Sequence, residues 1–232
     1  MAAAFLSGSL AWATAAGASV SIHSVNSPVA PGATMDDLNW LIPGPAGGNP
    51  NTSAGGTGAT GLFVSFSDDG GAIQGSKSGI YAAPDITAGN DAGFGLIADG
   101  PVDLTIYASA GGKQGSSATL VLPGTQNVFG LLWGSVDTFN ILTFKKADGT
   151  DIGTISGSDL IGTQGAVEHG SYYVTFVSDV PIGRVILTSS QYAFEFDNIS
   201  FANVTPSPEP LTLSLFGAGL AGLGLTRRRR KA

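Results

Sequence analysis

Cysteine is absent from the 232-residue chain, which excludes disulfides, thiolate metal sites and cysteine nucleophiles. Histidine is scarce, with only His23 and His169, and no Gly-x-Ser-x-Gly sequence presents a serine nucleophile. His169 lies in the turn Glu168-His169-Gly170, where we interpret it as a solvated loop residue, because a general base needs an orienting partner that the sequence does not show. The sequence therefore lacks the set of catalytic residues that a secreted hydrolase would need, and it predicts no enzymatic activity.

Basic residues are also few outside the C-terminal end. Lysine and arginine number 10, and five of them form the run from Arg227 to Lys231. Without that run, 5 basic residues face 17 acidic ones, which leaves the rest of the chain with a net charge of −12. A domain this acidic repels phosphate backbones, so we expect no nucleic-acid partner. Divalent cations remain compatible with this charge.

No long stretch between about residues 19 and 203 shows helical periodicity. Short apolar runs alternate instead with Gly, Asp, Asn and Ser, as is typical of strands joined by turns. The candidate strands are 62–66, 93–98, 104–108, 118–122, 127–133, 140–144, 171–177, 184–188 and 192–201. We expect an all-β protein with an antiparallel β-sandwich or jelly-roll-like domain over residues 61–203. Residues 19–60, rich in Gly and Pro, are interpreted as an arm or long loop.

The alternation of apolar residues predicts how the strands face. In 104–108 and 173–177 one face is apolar and the other mixed, which indicates a half-solvated sheet. In the last strand Phe194 and Phe196 share one face, whereas Ile199 and Phe201 fall on the opposite one. A β-bulge at Asp197-Asn198 would bring all four apolar side chains into the core.

The N-terminal segment is built from small and apolar residues. Residues 2–18 end in two Ala-x-Ala patterns, Ala13-Thr14-Ala15 and Ala16-Gly17-Ala18, which are typical of signal-peptide cleavage sites. We interpret 1–18 as a signal peptide cleaved after Ala18, with cleavage after Ala15 as the alternative. The usual basic residues at the start are missing, so a low-complexity start or a start assigned too far downstream stays open.

Residues 211–226 form a run of 16 residues without a charge near the other end. As a helix this run would span roughly 24 Å, slightly less than a ~30 Å hydrocarbon core. The arginines that follow, Arg227, Arg228, Arg229 and Arg230, can snorkel to the interface. With Lys231 they are expected to hold the C-terminus in the cytoplasm and leave the acidic domain outside. The alternative is a buried helix, although such a helix rarely ends in five basic residues.

Pro208, Glu209 and Pro210 precede this run. The motif, the apolar segment and the basic end, in this order, resemble the PEP-CTERM sorting signal of exported proteins from Gram-negative bacteria that possess an exosortase. The resemblance implies that the tail, residues 204–232, anchors the protein transiently in the inner membrane before processing near Pro-Glu-Pro. Signal peptidase and exosortase are the partners implied, and the cell surface or the exopolysaccharide matrix is the destination. Proline on both sides of Glu209 keeps the motif extended and accessible.

The stretch 127–144, with Trp133-Gly134-Ser135, Asp137 and Asn140, resembles a segment found in a group of exosortase-dependent surface proteins. The sequence from Phe194 to Ile199 resembles the strand that precedes such tails. This group carries no biochemical activity that could be transferred to the chain.

Four acidic pairs are candidates for chemistry: Asp68 with Asp69, Asp99 with Asp103, Asp148 with Asp151, and Glu195 with Asp197. Most lie in glycine-rich turns, where Asp bonds its own backbone, so turn chemistry accounts for them. Glu195 and Asp197 differ because they alternate onto one side of the last strand. The sequence predicts no cofactor. Carboxylate oxygens suit Ca²⁺, so a structural Ca²⁺ at Glu195 and Asp197 is the one candidate, although no EF-hand loop is present.

Tryptophan rings can stack on sugars, and Trp40 and Trp133 are the candidates for such a platform. Trp133 continues an apolar run, so core packing is favoured for it. The sequence as a whole predicts a non-enzymatic structural or interaction protein of the cell surface or matrix. The alternative is a calcium-dependent carbohydrate-binding module with the same fold and compartment.

Overall fold

The computed structural model describes residues 18–86, 90, 92–94, 104–111, 113 and 115–204. Ala18 is the first of these and is half-buried. The predicted sorting motif Pro208-Glu209-Pro210, the apolar run 211–226 and the basic cluster Arg227–Arg230 lie outside the described residues. So do most of the candidate strand 93–98 and the predicted signal peptide before Ala18. None of the helices in the described ranges is long and apolar enough to cross a membrane.

The regular secondary structure of the described residues is almost entirely β-strand, as predicted. Its strands are β1 (Val20–Val25), β2 (Thr34–Asp36), β3 (Gly56–Thr57), β4 (Phe63–Ser67), β5 (Gly71–Gln74), β6 (Ile106–Ser109), β7 (Ser117–Gly134), β8 (Asn140–Lys145), β9 (Asp151–Ser156), β10 (Tyr172–Ser189) and β11 (Glu195–Ala202). A single helical turn, α1 (Gly157–Leu160), follows β9. Ser156 and Asp159 close this turn with reciprocal hydrogen bonds, a capping box.

All strands pair antiparallel in one sheet with the order β5-β6-β11-β7-β10-β8-β9. β7 and β10, of 18 residues each, pair with each other along most of their length. The N-terminal half of β7 pairs with β4 and its C-terminal half with β11. The N-terminal half of β10 pairs with β1, and its C-terminal half pairs with β8. The two long strands therefore run through both halves of a sandwich-like sheet.

Side chains from the two halves meet in one core. Phe129 of β7 lies 6.0 Å from Phe144 of β8 between ring centroids, and Phe144 lies 5.2 Å from Phe176 of β10. Trp133 stacks on Phe194 at 4.7 Å. All five rings are fully buried. Because β8 and the first half of β10 belong to different halves of the sheet, these contacts fold the sheet over on itself.

The last strand, β11, lies between β6 and β7 and every residue of it is buried. Its pairing with β7 shifts between Asp197 and Ser200, and Asn198 has a φ of 52°, so the predicted β-bulge is present. Phe194, Phe196, Ile199 and Phe201 all join the main core. Because of the bulge, the apolar residues before and after it face the same core, although the alternation in the sequence shifts there by one residue.

The outer face of this part of the sheet is covered, contrary to the expectation of a half-solvated sheet. Tyr107, Tyr81 and Ile73 form a second buried cluster, and Tyr173 with Ile86 belongs to a third. Both clusters include residues from the segment that follows β5. Strands that were expected to face water on one side are instead buried on both sides.

Most of the segment 31–60 lacks regular structure, but it is attached to the sheet. β2 pairs with β11, and Leu38 and Leu41 are buried in the main core. The backbone N–H groups of Gly44 and Asn51 both donate to the carbonyl oxygen of Ala72 in β5. These contacts hold the segment beside β5 and make it one wall of the site described next.

Candidate functional site

The outer face of β11 carries a row of four buried polar residues. Glu195, Asp197, Asn198 and Ser200 expose 2 % of their surface or less. Strand alternation places Glu195 and Asp197 on the face opposite Phe194 and Phe196, and the bulge then keeps Asn198 beside Asp197. Buried polar groups cost free energy unless they are paired, so this row is the first candidate site.

Glu195 is incompletely satisfied in this position. Its Oε1 accepts a hydrogen bond of 2.8 Å from the backbone N–H of Ala82, whereas its buried Oε2 has no partner among the described residues. Burial raises the pKa of Glu195 to about 7, although the Ala82 N–H lowers it in part. Asp137 adds a small repulsion that also raises this pKa.

Asp197 lies on the same side of β11, and its Oδ2 approaches the hydroxyl of Thr105 at 3.5 Å. The side-chain oxygen and nitrogen of Asn198 are buried without a partner in the described part of the chain. Glu195, Asp197 and Asn198 therefore offer carboxylate and amide oxygens, the ligands that Ca²⁺ prefers. The structure places both predicted ligands on one face, and the sequence analysis missed Asn198 as a third oxygen donor.

A cleft of about 370 Å³ opens beside this row, and we call it the Tyr192 cleft. Asn49, Thr52, Asp68, Asp69, Tyr81 and Tyr192 line it. Tyr192 exposes 52 % of its surface, while Tyr81 is buried and donates its hydroxyl hydrogen to the carbonyl oxygen of Gly48. Tyr81 directly precedes Ala82, whose backbone N–H donates to Glu195. The segment that forms one wall of the cleft therefore also holds the buried carboxylate.

A second cluster lies at the turn before β10. Nδ1 of His169 is 2.8 Å from Oδ1 of the buried Asp137, and Glu168 brings a ligand atom within 4.8 Å of both. Burial raises the pKa of Asp137, and the neighbouring His169 lowers it in part. His169 is exposed, as predicted, but Asp137 gives it a partner that local sequence could not indicate.

The tryptophans occupy different environments. Trp133 is fully buried and donates from Nε1 to Oδ1 of Asn140 at 3.2 Å, so its predicted role in the core is confirmed. Trp40 is half-buried and donates from Nε1 to Oδ1 of Asp36 at 2.9 Å. A Cβ at Gly58 would collide with the Trp40 indole, so one side of that ring lies against the backbone next to β3.

Among the other acidic pairs, Asp68, Asp69 and Asp148 lie in turns, whereas Asp151 begins β9 and forms an ion pair with Lys145. Oδ1 of Asp148 accepts from the N–H of Thr150, which is the turn chemistry expected from the sequence. Asp69 accepts a hydrogen bond from the hydroxyl of Ser116 and, with Asp68, lines the Tyr192 cleft. Asp99 and Asp103 lie outside the described residues.

No protein-family model, curated protein or solved structure shows a match to the chain. The class of protein is therefore defined by the fold and the site alone: an all-β domain with buried oxygen donors beside an open cleft.

Proposed function

We propose that the protein is exported, sorted by its C-terminal PEP-CTERM tail and released to the cell surface or the exopolysaccharide matrix, where it has a non-enzymatic structural or interaction role. The observation that carries this proposal is the order of three features at the C-terminal end. Pro208-Glu209-Pro210 comes first, an uncharged run of 16 residues second, and five basic residues last. Each feature has a role in membrane retention or processing, and their order matches that requirement.

The domain in front of the tail supports such a role. An all-β domain, sandwich-like and of the jelly-roll kind in this proposal, resists unfolding outside the cell through its buried core. The chain without its basic end has a net charge of −12, which keeps the domain soluble and away from nucleic acid. An N-terminal signal peptide ending at Ala18 and a C-terminal membrane helix over 211–226 complete the arrangement.

Cell fractionation with and without an exosortase tests this function. In cells with the enzyme, we expect a shortened protein at the surface or in the medium. Cells that lack it should retain the full-length tail in the inner membrane. Replacing Pro208, Glu209 and Pro210 by alanine should reproduce the retention in cells with the enzyme. An intact tail and the same location in both strains would contradict the proposal.

A second candidate function is a calcium-dependent carbohydrate-binding module, and the buried carboxylate of Glu195 favours it. A carboxylate with an unpartnered Oε2 is costly in the interior, and a bound cation would remove that cost. Asp197 and Asn198 supply further oxygens on the same strand. Ca²⁺ at this position would fix the segment at Ala82 and with it one wall of the Tyr192 cleft.

Calorimetric titration of the purified protein with Ca²⁺ tests the metal. Binding heat and a higher melting temperature are expected for the wild type and should be lost in Glu195→Gln. Glu168→Gln is the matched control, because Glu168 belongs to the separate cluster with His169. Loss of binding in Glu168→Gln alone would assign the ion to that cluster instead, and absence of heat and of stabilisation in the wild type would contradict a calcium site.

A further inference from the structure

The Tyr192 cleft combines an exposed aromatic ring with several hydrogen-bonding groups. Tyr192 presents about half of its surface to solvent at the mouth of the cleft. An aromatic ring of this kind offers a face for the apolar C–H groups of a ligand.

The polar groups of the cleft can bind hydroxyl groups. The exposed carboxylate of Asp68 accepts no hydrogen bond from the described residues, and Asp69 uses one oxygen for Ser116. Oδ1 of Asn49 accepts from Nζ of Lys77 at 2.7 Å, which orients the amide so that its Nδ2 remains a donor. The cleft therefore supplies carboxylate acceptors and an amide donor around one ring.

We propose that the Tyr192 cleft binds a neutral oligosaccharide, with Tyr192 stacked on a pyranose ring and Asp68, Asp69 and Asn49 bound to its hydroxyl groups. A volume of about 370 Å³ lies within the usual range for small-ligand sites. The two carboxylates, in a domain that is itself acidic, repel uronic acids and sulfated sugars. Charge thus selects neutral glycans over anionic ones.

This inference rests on the carbohydrate-binding role proposed above, although it does not require the calcium ion. It names the binding residues and the charge class of the glycan. The sorting function is independent of it, because sorting depends on residues 204–232 and the cleft belongs to the folded domain.

Titration calorimetry of the full chain in mild detergent tests the cleft, with cellotetraose and chitotetraose as neutral probes and tetragalacturonate as the anionic one. We expect binding of at least one neutral probe and none of tetragalacturonate. Tyr192→Ala should weaken binding about tenfold or more, since stacking is lost, whereas Tyr192→Phe keeps the ring and should bind as the wild type does. Asp68→Asn should also weaken neutral binding.

Phe63→Ala is the matched control, because Phe63 is an aromatic residue of similar exposure on β4 that does not line the cleft. Its affinity should be unchanged. Wild-type affinity in Tyr192→Ala, or failure of the folded wild type to bind either neutral probe, would overturn the proposal. EDTA separates the two questions: binding that survives EDTA and depends on Tyr192 supports the cleft and contradicts the calcium requirement.

Discussion

Glu195 is the residue whose protonation state most directly affects the fold. Its carboxyl is buried, its Oε1 is bonded to Ala82 N–H and its Oε2 is without a partner among the described residues. Ionisation of this group is unfavourable because burial removes the carboxylate from water, which raises its pKa. Burial therefore favours the neutral acid, and in the proposed calcium module a bound ion would stabilise the carboxylate instead.

The raised pKa of Glu195 predicts how stability varies with pH. Between the ordinary pKa of 4.5 and the folded value of about 7, the folded protein binds a proton that the unfolded chain has lost. Stability from this group is therefore fully present at low pH and falls by about 3 kcal/mol as pH rises through 7. Urea unfolding without divalent cations, at about pH 5 and about pH 8, should show this fall.

Glu195→Gln removes the titrating group, so its stability should depend less on pH over the same interval. Glu168→Gln changes an exposed glutamate and should retain the wild-type dependence. Addition of Ca²⁺ should restore stability at the higher pH in the wild type and in Glu168→Gln, but not in Glu195→Gln. An unchanged pH dependence in Glu195→Gln would show that another group is responsible.

Asn140, which belongs to the motif that begins at Trp133, is the centre of a buried hydrogen-bond network. Its Oδ1 accepts from Trp133 Nε1 and from the N–H of Asp137, and its Nδ2 donates to Ser189 and to the carbonyl of Ala193. The sequence singled out the stretch from Trp133 to Asn140 by resemblance only. The structure explains it as a turn that Asn140 ties to the buried indole.

Asn140→Ala should destabilise the protein by about 3 kcal/mol, because several buried donors and acceptors lose their partner at once. The change can be measured as the shift in the urea midpoint. Asn203→Ala, at an exposed asparagine, should shift that midpoint by less than about 0.5 kcal/mol. A similar effect of both changes would contradict the role assigned to Asn140.

At the scale of elements, β7 and β10 show where sequence patterns were misread. Each was predicted as two strands, because Pro123-Gly124 and Pro181-Ile182-Gly183 interrupt the apolar runs. Both strands are continuous, and the interruptions coincide with the register shifts at which pairing passes from one half of the sheet to the other. Proline is tolerated at such irregularities because no ladder hydrogen bond is needed there.

Sequence analysis missed β1, β2, β3, β5 and β9, of which β2, β3 and β5 have four residues or fewer. β3 and β9 pair with their sequence neighbours β4 and β8. β1, β2 and β5 pair with β10, β11 and β6, partners distant in sequence that a local pattern cannot reveal. The same limit applies to the site. Glu195 and Asp197 were predicted from alternation, whereas Ala82, Asn49 and Tyr192 come together only through the fold.

The bulge of β11 requires a backbone conformation that few residues adopt. Asn198 has a φ of 52°, which asparagine and glycine tolerate and β-branched residues do not. Asn198→Val should therefore lower the free energy of unfolding by about 2 kcal/mol or more. Asn198→Gly should keep the bulge and be affected less.

Thermal unfolding of both variants at Asn198 measures the difference, and circular dichroism checks that the β content is kept. Calcium titration of Asn198→Gly adds a second readout, because loss of the amide oxygen should weaken binding if Asn198 is a ligand. Equal stability of the valine and glycine variants would contradict the need for a positive φ at this position.

At the scale of the whole molecule, charge is divided sharply between the domain and the tail. Without Arg227 to Lys231 the chain carries a net charge of −12, and these five residues are half of its basic residues. Positive residues after an apolar segment are retained on the cytoplasmic side of a membrane. In the export route proposed above, the division of charge would give the tail a direction, with the acidic domain outside and the basic end inside.

Replacing Arg227, Arg228, Arg229 and Arg230 by glutamine should remove this direction. The apolar run 211–226 is short for a ~30 Å core, so without arginines at the inner interface it should slip outward or fail to stay in the membrane. A C-terminal epitope tag and protease treatment of intact spheroplasts from cells without an exosortase measure the effect. The wild-type tag should be protected and the variant tag digested or lost with released protein. Replacing the same arginines by lysine keeps the charge and should keep the tag protected, whereas protection of the glutamine variant would show that the basic cluster does not orient the tail.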